Sequence, residues 1–210
     1  MNRRGFFSKF FGSKKIPDVF FFGMQAVIGM YAKDNLRQEL HEIIGYGVEE
    51  ETPREKKVFY KKIASVLQEC LPSIEYGHWD YILKPADAED EFHNWVNEIE
   101  ASVATEDEEM GDEINEIHRM SSEKTYVAVS LVFLLEGSER LQQFMSIIEE
   151  IPEDDLFSRS SIEKVIESVN YIDFEYCYGD AAFIIPGNEE DGLSWEDIHS
   201  EGWEYLKPIM

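Results

Sequence analysis

Residues 125–137 read TYVAVSLVFLLEG, apolar at odd and even positions alike until Glu136 and Gly137 close the run. Successive side chains of a strand point to opposite sides, so a strand apolar on both must be covered on both. This stretch is therefore a central strand. Its counterpart is DVFFFGMQAVIGMYA at 18–32, interrupted only by glycines and Gln25. That run falls short of the roughly 20 apolar residues of a spanning helix. The three phenylalanines beside Val19 fit a buried strand at its start.

Helical periodicity surrounds these strands. Leu36, Leu40, Ile43 and Ile44 share one side of a segment that Gly45 stops, and Thr52-Pro53 opens a second helix with Val58, Phe59, Ile63, Val66 and Leu67 on one face. The stretch SIEYGHWDYILKP (73–85) is extended, with a bend expected near Gly77, and 86–103 returns to helical spacing through Phe92, Trp95, Val96 and Ile99. An acidic stretch, 105–124, follows, with a short helix expected through Ile114 and Ile117. Beyond the central strand come a helix at 138–150 capped by Ser138, a helix at 158–169, and two strands in 170–186 turning at Gly179-Asp180. A Ser-capped helix over 193–206 closes the chain.

The two halves thus share an order. The expected fold class is α+β, with two related strand-helix-helix-strand-helix lobes and mixed or antiparallel sheets flanked by helices, sharing one sheet or packed face to face. The division expected is a basic aromatic tail at 1–17, a first lobe at 18–104, an acidic connector at 105–123 and a second lobe at 124–210. Local letters also agree: Ile74-Glu75-Tyr76, Ile82-Leu83, Pro85 and Trp95 parallel Ile172-Asp173-Phe174, Ile184-Ile185-Pro186 and Trp195.

Among 210 residues, 44 are Asp or Glu and 19 Lys or Arg, a net charge of −25. Such a field repels nucleic acid, which excludes it as an expected partner, and attracts basic proteins. An aromatic content of 13% rules out acidic disorder. Cys70 and Cys177 are the two cysteines, read as buried thiols that one bridge would join in an oxidising compartment.

The sequence carries no phosphate-binding glycine loop, nucleophile elbow or paired-histidine metal motif. The loop 186–197 fails as a calcium site, because Gly187 and Ile198 stand at its first and twelfth ligand positions. No catalytic residue, metal ligand or cofactor is assigned. The densest polar–aromatic group is Tyr76, His78, Trp79, Asp80 and Trp95. At sheet spacing Tyr76, His78 and Asp80 share one face, and Gly77, Trp79 and Tyr81 the other. Core packing is the simpler account of this group; a ligand or partner surface is the functional one.

The order GHWDYILKPADAEDEFHNW, TYVAVSLVFLLEG, IIPGNEEDGLSWEDI and WEYLKPI resembles the domain family of unknown function numbered fifteen-seventeen, known from cyanobacteria and chloroplasts. Trp79 with Ala88-Glu89-x-x-Phe92, Tyr126 to Leu131 with Gly137, and Pro186, Asp191 and Leu193-Ser194 match its pattern. Ile184 stands where the family has Trp, and the terminal Tyr-Pro is spread over Tyr205 to Pro208. The resemblance implies a conserved α+β fold and no assigned activity, cofactor or catalytic residue.

Three functions compete. The first is a non-catalytic interaction or regulatory domain, cytoplasmic, binding a basic protein. The second is a metal-assisted hydrolase using dispersed histidines and carboxylates, and the third a small acidic inhibitor of immunity type. The opening segment, with Arg3, Arg4, Phe6, Phe7, Phe10 and Phe11, is similar to a twin-arginine signal. Lys14, Lys15 and Pro17 interrupt the apolar region such a signal needs, so a retained tail with weak peripheral membrane or partner contact is expected.

Overall fold

In a computed structural model, the structure describes residues 19–33, 35–45, 52–109, 124–137, 141–187 and 192–210. The tail at 1–17, the connector beyond residue 109, the cap at Ser138 and Asp191 lie outside the described residues.

The two apolar runs pair with each other. Strand β1 (Val19–Gly29) is antiparallel to β3 (Lys124–Glu136), in unbroken register from Val19 opposite Glu136 to Gly29 opposite Tyr126. Strands β2 (Ile74–Ile82) and β4 (Cys177–Ile185) flank this pair, β2 on β1 and β4 on β3. Two short strands complete a six-stranded antiparallel sheet: β5 (Leu193–Ser194) beside the start of β3, and β6 (Lys207–Pro208) beside β2.

One face is covered by two helix pairs, α1 (Leu36–Ile44) with α2 (Pro53–Glu69) and α4 (Leu141–Glu149) with α5 (Arg159–Ser168). Phe20, Phe22, Met24 and Ile28 of β1 and Val127, Val129, Leu131 and Phe133 of β3 enter that core. The alternate residues, Phe21, Val27, Val132 and Leu134, meet Ala88, Phe92, Val96 and Ile99 of α3 (Pro85–Glu109) and the C-terminal segment. Both central strands are buried on both sides, as their patterns require. Thr52 caps α2 in a reciprocal box with Glu55, with Pro53 at the first turn.

The fold is α+β, and its two halves contribute to one sheet. Their likeness lies in the backbone. The β1–β2 ladder shifts register between Val27 and Ile28, leaving Glu75 as the extra residue. The β3–β4 ladder shifts between Leu134 and Leu135, leaving Tyr178. Both flanking strands have nine residues, and each bulge falls at the same place. This equates Ile74 with Cys177 and Ile82 with Ile185, so the matched letters Ile172-Asp173-Phe174 and Ile184 fall out of structural register.

Three local expectations are corrected. Residues 170–186 form one strand, not two, entered through single 3-10 turns at Val169–Tyr171 and Phe174–Tyr176. Gly179 lies inside that strand because the Phe92 ring sits where its Cβ would be, 2.8 Å from the ideal position. Gly77 likewise lies within β2 and makes no bend, its ideal Cβ only 3.2 Å from the Gln25 carbonyl oxygen. The helix expected over 193–206 is a single 3-10 turn, Asp197–His199. Ser194 and Asp197 cap each other (2.7 and 3.1 Å), but the buried Leu193, Ile198 and Leu206 do not recur at helical spacing, and Gly202 has φ +96°. Among the described residues the second half therefore has no counterpart of α3. That helix itself begins at Pro85 and runs on to Glu109, into the expected connector.

Gly23 faces α3, and its ideal Cβ would stand 2.9 Å from the Trp95 ring and 2.6 Å from that of Phe21. Gly23→Val should therefore destabilise the protein by about 1–3 kcal/mol in urea unfolding. A changed tryptophan emission spectrum of the folded state should accompany it; unaltered stability and emission would contradict this packing.

Candidate functional site

The β2 pleat separates the expected surface residues. Trp79 points into the four-helix core, buried, with its indole N–H donating to the Leu156 carbonyl (2.9 Å). Asp80 is exposed and accepts from the Tyr81 backbone N–H (2.8 Å). Tyr76 and His78 share the α3 side. Trp95 stacks on His78 with ring centres 5.5 Å apart at 23°, and donates to Glu91 (2.9 Å). Of the five residues, the structure brings His78 and Trp95 into contact, turns Tyr76 toward the sheet's end and leaves Trp79 and Asp80 apart.

Around His78 lies a polar seam. Gln25, 3% exposed, faces Ser130 across the central pair and donates to its hydroxyl (2.8 Å). The Tyr205 hydroxyl donates to the remaining Gln25 oxygen (2.7 Å), and its ring meets His78 edge-on at 5.3 Å. Gln25 thus satisfies two partners within an apolar layer. Burial pushes the Tyr205 hydroxyl up to about 12. His78 Nδ1 is buried without a hydrogen-bond partner. Burial lowers the His78 pKa; Asp80 opposes that shift and Lys207 adds to it.

On the other face, Asp180 of β4 is 4% exposed, ion-paired with Lys56 at the start of α2, and accepts from the Tyr60 hydroxyl (3.0 Å). The Cys177 thiol donates to the Gly179 carbonyl (3.2 Å). Burial, then the Asp180 charge, pushes that thiol well above its usual value, which suits an inert thiol rather than a nucleophile. Both cysteines are free.

A third group sits where β1 ends and β2 and β3 begin. The bulge residue Glu75 accepts from the hydroxyls of Tyr31 (2.6 Å) and Tyr126 (2.9 Å). Burial and the Glu75 carboxylate push Tyr126 up to about 12. Beside them Tyr76 meets His199 edge-on at 5.2 Å, and His199 stacks on Trp195 at 4.1 Å.

A shallow cleft between β3 and α4, lined by Glu136, Leu141, Phe144, Tyr171 and Tyr176 among others, has room for about one water molecule. Among the described residues no three His, Cys, Asp or Glu side chains are grouped to hold a metal ion. Nor is any helix among them long and apolar enough to cross a membrane.

The fold and these groups define an α+β protein with an antiparallel sheet between a four-helix layer and a layer of one helix and an irregular segment. Comparison with protein-family models, curated proteins and solved structures yields no match to this chain.

Sequence reasoning missed Ser130, Glu75, Tyr126, Tyr205 and His199 as members of these groups. Gln25 and Ser130 carried a signal, as lone polar residues inside apolar runs. Glu75 carried none, because nothing local marks a bulge.

Two outcomes follow from the buried groups. Asp180→Ala breaks the ion pair with the part-buried Lys56 and takes away the acceptor of the Tyr60 hydroxyl, and should cost about 3–5 kcal/mol in chemical denaturation. The double change Asp180→Leu with Lys56→Met should recover most of that loss. For His78, the folded pKa lies below the ordinary 6.5, so the unfolded chain takes the proton first as pH falls. The histidine's contribution is intact above that value and declines as pH drops through it toward the folded pKa. The His78→Phe protein should therefore lose less stability between about pH 7.5 and about pH 5 than the unaltered protein. Equal losses in parallel melts would contradict the burial.

Proposed function

We propose that this protein is a non-catalytic interaction or regulatory domain that binds a basic protein partner. The net charge of −25 carries the reading. A field of that sign draws in basic proteins and speeds their encounter. The engagement of the interior polar groups supports it as well. Asp180 is bound by Lys56 and Tyr60, and Gln25 by Ser130 and Tyr205. These groups hold strands and helices together rather than converge on a cleft. The reading makes the protein cytoplasmic, with Arg3, Arg4 and the phenylalanines of the opening segment as a peripheral contact.

The test is affinity capture from the native cell with the full chain as bait, at low and high salt, followed by binding of the purified candidate. A basic protein retained at low salt and released at high salt is expected. Retention indifferent to salt, or of acidic proteins alone, would overturn the reading. Where the captured protein is an enzyme, its inhibition on binding would identify the domain as an inhibitor of immunity type.

A further inference from the structure

The group at the β1–β2–β3 end of the sheet combines features that the other polar groups lack: exposed aromatic area, a fixed carboxylate and an excess of acidic residues. Trp195 is 57% exposed. Its position is fixed, because His199 stacks on it at 23° and the His199 Nδ1 lies 2.8 Å from the Trp195 carbonyl oxygen. Tyr76 braces the imidazole in turn at 88°. Leu193, two residues before the tryptophan, pairs with Tyr126, whose hydroxyl is on Glu75, so indole and carboxylate stand at the same end of the sheet. Tyr31, 71% exposed, donates to the other Glu75 oxygen and widens the aromatic rim.

A large indole held open to water, rather than folded onto the sheet as Trp79 is, marks a surface suited to a partner. The surrounding charge names the partner's chemistry. Between residues 192 and 206 the chain carries Glu196, Asp197, Glu201 and Glu204 and no lysine or arginine; with Glu75 they outnumber the two lysines of the adjoining strands, Lys207 opposite Gly77 and Lys124 opposite Ser194. Arg159, whose charge is felt at Tyr31, has its guanidinium committed to the carbonyls of Leu71 and Ile74. A guanidinium stacks on an aromatic face and forks onto a carboxylate, which an ammonium does less well.

We infer that the surface formed by Trp195, Tyr31, Tyr76 and Glu75 is the docking site for an arginine-rich segment of the partner protein, with Trp195 as its anchor. The inference rests on the reading of a basic partner and gives that partner a contact point.

The experiment titrates labelled octa-arginine and octa-lysine peptides into the full chain, following fluorescence anisotropy at low salt. Octa-arginine should bind more tightly than octa-lysine. Trp195→Ala should weaken octa-arginine at least about tenfold, and Glu75→Gln should weaken it by a smaller factor. Glu136→Gln, which removes a charge at the opposite end of the sheet, should stay within about twofold. Because Trp195 is exposed, its replacement leaves both cores intact, and Glu75→Gln gives an independent second reading. Salt-sensitive octa-arginine binding that ignores both Trp195→Ala and Glu75→Gln would overturn this inference while leaving the basic-partner reading standing. Absence of binding to either peptide, with no basic protein captured from cells, would defeat that reading itself. A Trp195-dependent dimer, or Trp195 becoming more accessible to iodide when residues 2–15 are deleted, would assign the surface to this chain itself and overturn the choice of partner.

Discussion

The pairing of β1 with β3 is the constraint on which the other elements depend. Eleven residues of each strand stand opposite one another without a break, from Val19–Glu136 to Gly29–Tyr126. Because both strands are apolar on both sides, neither is satisfied by one covering layer. The described residues supply four helices to one side, and α3 with the 193–206 segment to the other. Each flanking strand then completes the hydrogen bonding of the central strand from its own half. The bulges at Glu75 and Tyr178 recur at equivalent places because each half solves the same problem, an outer strand following a twisted central one.

Polar chemistry in such a sheet is confined to where the pairing admits it. Gln25 and Ser130 are buried at the middle of the central ladder, and they are tolerated because they bond to each other and Tyr205 closes the remaining acceptor. Asp180 sits beneath α2 because Lys56 and Tyr60 descend to meet it. His78 is the exception, a ring stacked between aromatic neighbours with one nitrogen unbonded, and its proton affinity falls accordingly. The sheet's end differs from all of these. There Glu75, displaced by the bulge, collects tyrosines, and the irregular C-terminal segment leaves Trp195 on the surface.

Much of this was readable from residues that repeat a period. The helices over Leu36–Ile44, Pro53–Glu69 and Arg159–Ser168 follow their apolar spacing, and Thr52-Pro53 marks the start of α2 as a capping signal should. The readings that failed turned on glycine and on short polar signals. Gly179 and Gly77 suggested turns, yet both provide room within straight strands, Gly179 for the Phe92 ring and Gly77 for the Gln25 carbonyl and Ile209. Ser194 suggested the cap of a helix, and it opens only one turn because the apolar residues that follow are spaced for a surface-hugging segment. In the aromatic cluster, alternation separated Trp79 from Tyr76 and His78 correctly. The contacts with Trp95, Tyr205 and His199 were illegible because they join residues distant in the chain.

The sequence by itself determined the α+β class, two central strands, the helices that cover them and an acidic field, since each is a property of local period or composition. Tertiary structure alone decided that the halves share one sheet, that Gln25 finds Ser130, and that Asp180 finds Lys56. It also decided that Glu75 and Trp195 come to lie at one end of the sheet. Strand order, bulge position and the company of a side chain depend on which segments meet, and a local pattern states only what a segment must bury, never against what.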